Sequence, residues 1–263
     1  MMTRMTTCWS VGPLVAPYLG ASLQSFFGWQ ANFYFLALYS LVAFVLAQFF
    51  LFETSQQRRR FQLRSSLLLY WEMISNREYL HCILIGGLLF SLIALYGVVA
   101  PFLVQNVMHY SPAQFGRMSL LIGLAWFLGA FSNRYMLEHT VETKARVSFW
   151  SMWALVCLML TLAQFTPISV FNLILPMACI FFCAAILYPS YFTKSVLIFR
   201  QSSASANALF NSSAFFIASL ISALGTHLKL QDEVPFILAL LAIVGSCLLL
   251  YYYNLFKSNI KHA

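Results

Sequence analysis

Apolar residues run through this chain in blocks of about twenty, the length an α-helix needs to cross the hydrocarbon core of a bilayer. Eight such blocks predict eight membrane-spanning helices over residues 5–27, 31–52, 80–104, 116–135, 147–165, 170–192, 204–224 and 234–255. Most connections are short. The longest, residues 53–79, carries Arg58, Arg59, Arg60, Arg64 and Arg77 beside an apolar patch from Leu67 to Trp71, which predicts an amphipathic helix lying along the interface. The first block lacks a short apolar core followed by a small-residue cleavage site, so it is read as a spanning helix and not as a signal peptide.

Alternating the eight blocks across the bilayer sorts the cations. With the amino terminus in the cytoplasm, all of the 15 lysines and arginines fall on the cytoplasmic side except Arg117 and Lys229. That bias satisfies the positive-inside rule and places both termini in the cytoplasm of a multi-pass protein of the inner cell membrane. The arginine run in the long loop reads as a stop-transfer signal and headgroup anchor, or as a gating element. Trp29, Trp71 and the Tyr251 to Tyr253 cluster fit the aromatic belts at the two surfaces.

Composition agrees. Hydrophobic residues make up 61% of the chain and charged residues 8%, too little polar surface to cover a soluble globule. The net charge of +8 lies in loops between apolar blocks, which argues against a nucleic-acid partner. The lipid bilayer is the expected one. The six cysteines fall in or beside apolar blocks with no CxxC pair and read as buried thiols, so no metal site is expected.

The first block contains VGPLVAPYLG, in which Pro13, Pro17, Gly20 and Gln24 fall on one stripe with Gly12 and Ala16 beside it. In lipid such a segment stays helical and bends where the prolines withdraw donors, and its small residues invite close approach by a neighbouring helix. Other interruptions point to a cavity. The third block has Gly86 and Gly87 at one end and Pro101 before Gln105 and Asn106 at the other. The sixth has Pro176 and Pro189 with Tyr188 and Tyr191. The seventh places Asn207 and Asn211 one turn apart, as interhelical hydrogen-bonding groups or as cavity lining. Tyr96, Gln105, Asn106, Trp126, Tyr188, Asn207 and Asn211 are therefore the expected lining of a substrate cavity that holds its ligand by stacking and a few hydrogen bonds.

All seven acidic residues lie in loops or at block ends, so the usual proton- or cation-binding carboxylate of a secondary transporter is missing from the membrane interior. His81, at the start of the third block, is a histidine that titrates near neutral pH or simply faces headgroups. No GxSxG, HExxH or phosphate-cradling loop is present, which speaks against an enzyme; no catalytic residue and no cofactor is expected.

These residues carry a resemblance. The stretch VGPLVAPYLGASLQSFFGWQANFYFLAL is similar to the antiporter signature of drug/proton antiporters in the major facilitator superfamily. SNREYL, APFLVQNVMHYSPAQFG and LGAFSNR resemble later helices of its bicyclomycin/chloramphenicol resistance (Bcr/CflA) group. The resemblance covers essentially the whole chain and implies an all-α, polytopic membrane helix bundle. It implies that Gly12, Pro13, Pro17 and Gly20 stand in the signature that seals the interface between two six-helix halves. It also implies that Gly129, Asn133 and Arg134 form a cytoplasmic gating loop, with asparagine where an aspartate is usual.

On this reading residues 1–52 are the last two helices of the amino-terminal half, 53–79 the central cytoplasmic linker and 80–263 the carboxyl-terminal half. The family has twelve spans, and the chain matches from just before the fifth. The implied function is efflux of small hydrophobic drug-like substrates by proton antiport, as part of a carrier whose coupling acid belongs to an absent amino-terminal segment. The alternative is a truncated product that transports nothing, or a membrane packing partner.

Overall fold

The computed structural model describes residues 11–50, 63–136, 138–166, 169–228 and 232–262. Nine α-helices occur among them, and no strand. They are α1 (Val11–Phe27), α2 (Gln30–Phe50), α3 (Leu63–Ser75), α4 (Arg77–Phe102), α5 (Pro112–Ser132), α6 (Val141–Phe165), α7 (Val170–Ile198), α8 (Ser203–Gly225) and α9 (Val234–His262).

Among the described residues, seven helical stretches are long and apolar enough to span a bilayer: Gln30–Phe50, Arg77–Val107, Pro112–Ser132, Val141–Phe165, Val170–Ile198, Arg200–Gly225 and Val234–Lys257. The protein is thus a multi-pass membrane protein. The eighth predicted span is described only from Val11, as a 17-residue helix; residues 5–10 of that span lie outside the described residues, as do residues 53–62 of the linker. Residues 63–75 of the linker form the expected helix, α3, in which only Met73 is buried, and residues 77–79 already belong to α4.

Several helices begin before their apolar blocks, because polar caps satisfy the free N–H groups of a first turn. At α4 the Tyr79 N–H donates to the Asn76 side chain at 3.0 Å. At α5, Ser111 and Gln114 form a reciprocal capping box at 3.2 and 2.8 Å, with Pro112 in the first turn. At α6 the Thr143 N–H donates to Thr140 Oγ1 at 3.2 Å. Hydropathy sees only the apolar part of each helix.

α4 is the central rod, packed against α8, α7 and α9. Its partner α8 comes close because α4 presents glycine: a Cβ at Gly86 would overlap the ring of Phe210, and one at Gly87 would overlap Ile217. Phe210 is fully buried over that glycine. α5 packs on α7 and α7 on α6, while α9 closes against α6 and α4. α1 lies along α5, and α2 follows it antiparallel, touching α1 and burying none of its residues.

Pro101 has no N–H to give the carbonyl of Gly97, and beyond it the helix widens. Residues Leu103–Val107 form a π-helical turn in which the Met108 N–H reaches the Leu103 carbonyl at 3.0 Å. The turn ends at His109, in the left-handed region with φ 58°.

Candidate functional site

Between α1, α4, α5 and α7 lies an apolar cavity of about 370 Å³, lined by Gly12 and Ala16 of α1, Tyr96 and Gly97 of α4, Phe115, Ser119 and Trp126 of α5, and Phe181 of α7. Each helix contributes one face. Phe115, Ser119, Ile122 and Trp126 recur at spacings of four, three and four, so they form one stripe of α5.

The cavity wall is an aromatic lattice. The Tyr96 ring stacks beside Phe115 at 6.2 Å and meets the edge of Phe181 at 5.5 Å. Phe181 meets Trp126 at 6.1 Å, and Trp126 lies 6.3 Å from Tyr188. Such offset and edge contacts hold rings in fixed orientations and leave π-faces for a flat apolar guest. Polar groups are sparse; the Tyr96 hydroxyl and Ser119 Oγ share a hydrogen bond at 3.2 Å. The pocket thus offers stacking surface with one hydroxyl pair for orientation, a composition suited to a small hydrophobic molecule.

Of the seven residues expected to line a substrate cavity, Tyr96 and Trp126 are in this wall. Tyr188 stands behind Trp126, and its hydroxyl donates to Asn211 Oδ1 across the α7/α8 contact at 3.5 Å. Asn211 in turn donates to Asn207 Oδ1 at 2.6 Å. The asparagine pair therefore joins the lattice from outside the cavity, with Asn207 exposed on α8. Gln105 and Asn106 are elsewhere. Asn106 lines a separate crevice of about 340 Å³ with Phe102 and Thr226, and Gln105 is half-buried in the same π turn.

Sequence reasoning passed over Phe115, Ser119 and Phe181, which look like ordinary core residues of apolar helices. The signal that could have found them is their spacing from Trp126 and Tyr188: Ser119 precedes Trp126, and Phe181 precedes Tyr188, by two helical turns.

Of the four positions expected from sequence to form the signature, Gly12 lines the cavity, and Gly20 faces α2, where an added Cβ would come to 3.6 Å from Asn32 Oδ1. The side chains of Pro13 and Pro17 lie outside the described residues; the helix runs through both positions.

The stretch from Gly129 to Arg134 closes α5. A Cβ at Gly129 would overlap the Phe182 carbonyl of α7, so only glycine lets these two backbones touch. Asn133, 5% exposed, accepts from Lys144 Nζ of α6 at 2.8 Å and from Ser190 Oγ of α7 at 3.3 Å. One amide oxygen thus joins three helices. Arg134 is exposed. Lys144, counted from sequence among the loop cations, is itself buried at 5% exposure.

Residues 1–223 match the Major Facilitator Superfamily, and the chain belongs to that family. It is 24% identical over 274 residues to a bicyclomycin resistance protein homolog of Haemophilus influenzae, an alignment covering 99% of this chain and 66% of the relative. It is 25% identical over 163 residues to a multidrug resistance protein MdtL of a Shewanella species, covering 62% of the chain and 40% of the relative. The MdtL protein of Shewanella oneidensis is 24% identical over 174 residues, covering 66% and 43%. The chain therefore spans less than two thirds of the length of these curated relatives.

Proposed function

We propose that this chain is the later part of a proton-driven efflux carrier for small hydrophobic, drug-like molecules, and that the aromatic cavity between α1, α4, α5 and α7 receives the substrate. The observation that carries the reading is the lattice of Tyr96, Phe115, Phe181 and Trp126 around about 370 Å³ of mostly apolar space. The resistance proteins among its relatives support the substrate class. On this reading residues 1–52 complete an amino-terminal half, 53–79 form the linker and 80–263 the carboxyl-terminal half. The cation-rich ends of the helices face the cytoplasm of an inner membrane, and the loop at Gly129, Asn133 and Arg134 takes part in gating. Gly12, Pro13, Pro17 and Gly20 line the seam between halves, which the packing of α1 along α5 supports.

Alternating access requires two bundles rocking about a central site, and α2 buries none of its residues. We assign the missing wall, and the acid that couples substrate to protons, to a separate amino-terminal segment. A chain that only packs beside other helices is the alternative. It predicts no ligand in the cavity.

The test is binding by the purified chain in nanodiscs. Titrating a hydrophobic dye should quench Trp126 fluorescence saturably, and the quenching should vanish in Trp126→Phe. Gly97 lines the cavity and has nothing within 4 Å of an added Cβ. Gly97→Leu should therefore fill the space and weaken binding by about tenfold or more, a loss of about 1.4 kcal/mol, with the melting temperature unchanged. Unchanged dye affinity in Gly97→Leu would place the substrate elsewhere.

A further inference from the structure

α8 and α9 both pack on α4 and scarcely touch each other, which leaves a furrow between them with α4 as its floor. Its inner part, about 280 Å³, is lined by Leu88 and Leu95 of α4, Ile221 and Leu224 of α8, and Ala239 and Ala242 of α9. The space exists because α9 turns small side chains to that side: Ala239, Ala242 and Ser246 recur at spacings of three and four, one stripe of the helix.

Toward the far end of α4 the furrow runs on into the crevice of Phe102, Asn106 and Thr226, since Gly225 and Leu228 line both spaces. Gly225 brings α8 down onto the floor at the junction, where an added Cβ would overlap Leu95. The floor itself is one stripe of α4, Leu88, Leu95, Val99, Phe102 and Asn106, which covers eighteen residues or about 27 Å along the axis.

The two ends differ in chemistry. In the inner part the Ser246 hydroxyl donates to the Ala242 carbonyl of its own helix at 2.7 Å, so the wall offers water no free donor, and water without partners does not fill such a space. At the outer end Asn106 is exposed, and its side chain is hydrogen-bonded to no described residue.

The furrow is continuous with the surface that the bilayer covers. Leu224 and Ala242, on its opposite rims, are exposed on two spanning helices, Leu224 at 70%. An empty apolar slot there would forfeit the contacts of all its walls. A helix about 10 Å across needs roughly 800 Å³ for each 10 Å of its length, more than twice what the inner part offers from Leu88 to Leu95. A single polymethylene chain fits. A lipid, headgroup included, takes half of a bilayer about 40–45 Å thick, so the furrow is long enough for one.

We propose that this furrow binds one phospholipid of the leaflet at the far end of α4, with an acyl chain lying between α8 and α9 and an ester carbonyl accepting from the Asn106 amide. The site goes beyond the transport reading and does not depend on it.

Native mass spectrometry of the full chain, released from nanodiscs of palmitoyl-oleoyl phosphatidylethanolamine, tests it by counting the lipid that stays bound once the surrounding shell is stripped. One lipid should remain on the unaltered chain. Ala242→Trp and Leu224→Trp fill the furrow from opposite rims, and each should weaken retention by about tenfold with the melting temperature unchanged, because both positions are exposed. Asn106→Leu should weaken it by about fivefold, the worth of one hydrogen bond. Leu158→Trp, exposed on α6 away from the furrow, should keep the lipid. Retention that is unchanged in both furrow variants, or that falls equally in Leu158→Trp, overturns the proposal. A chain that dimerises unaltered but not as Leu224→Trp also overturns it, since the furrow would then belong to a second copy.

Discussion

At the scale of single residues, the most consequential departure from expectation is Lys144. Charge counting along the sequence treats a lysine near a helix start as a loop cation, because burial is decided by neighbours on other helices. Here it is buried, and its ammonium donates to a neutral amide oxygen, that of Asn133. A buried charge with a poor partner is a stability deficit that a better partner removes. Asn133→Asp is isosteric and offers Lys144 a carboxylate, so it should raise stability by about 1–2 kcal/mol in reversible denaturation in detergent. Asn133→Leu removes the acceptor and strands the ammonium, and should cost about 3–5 kcal/mol. Equal stabilities for the two variants would mean that Lys144 escapes to water. The asparagine itself was singled out only through the resemblance, as standing where an aspartate is usual; the three-helix junction it makes with Ser190 was not legible, because Ser190 carries no signal in an apolar helix.

At the scale of elements, runs of apolar residues located the spanning helices, because in lipid the backbone leaves almost no alternative to a helix. What they could not locate is the rotational setting of a helix past a defect. Pro101 foretold a weakness at the far end of α4, and the weakness is a π turn over Leu103–Val107. Asn106, ten residues past Tyr96, stands about 80° round the helix and about 15 Å along it. With Val98 and Phe102 at spacings of four it faces the crevice beside Thr226, while Tyr96 faces the aromatic cavity. Pro101→Ala restores the missing donor and should convert the turn to α-helix. Amide exchange of residues 103–108 should slow by about tenfold, for a gain of roughly 1 kcal/mol from the recovered hydrogen bond. Unaltered exchange would show that the turn is imposed by packing against α5 and not by the proline.

At the scale of the whole molecule, the contacts fix which helix ends lie together but leave the side of the membrane to charge. Lys194 at the end of α7 meets Glu78 and Glu142 at the starts of α4 and α6, and the Tyr79 hydroxyl donates to the Ala206 carbonyl at the start of α8 at 2.7 Å. These ties put one set of ends on one surface, and the loops there carry nearly all of the 15 cations. An excess of lysine and arginine in short loops opposes translocation, so this surface should be cytoplasmic. A protease site inserted between Arg59 and Arg60 reports the side. It should resist protease added to intact spheroplasts and be cut in inverted membrane vesicles. Cleavage in spheroplasts would turn the molecule over. The aromatic cavity would then have to be read as an entry site and not as the start of an export path.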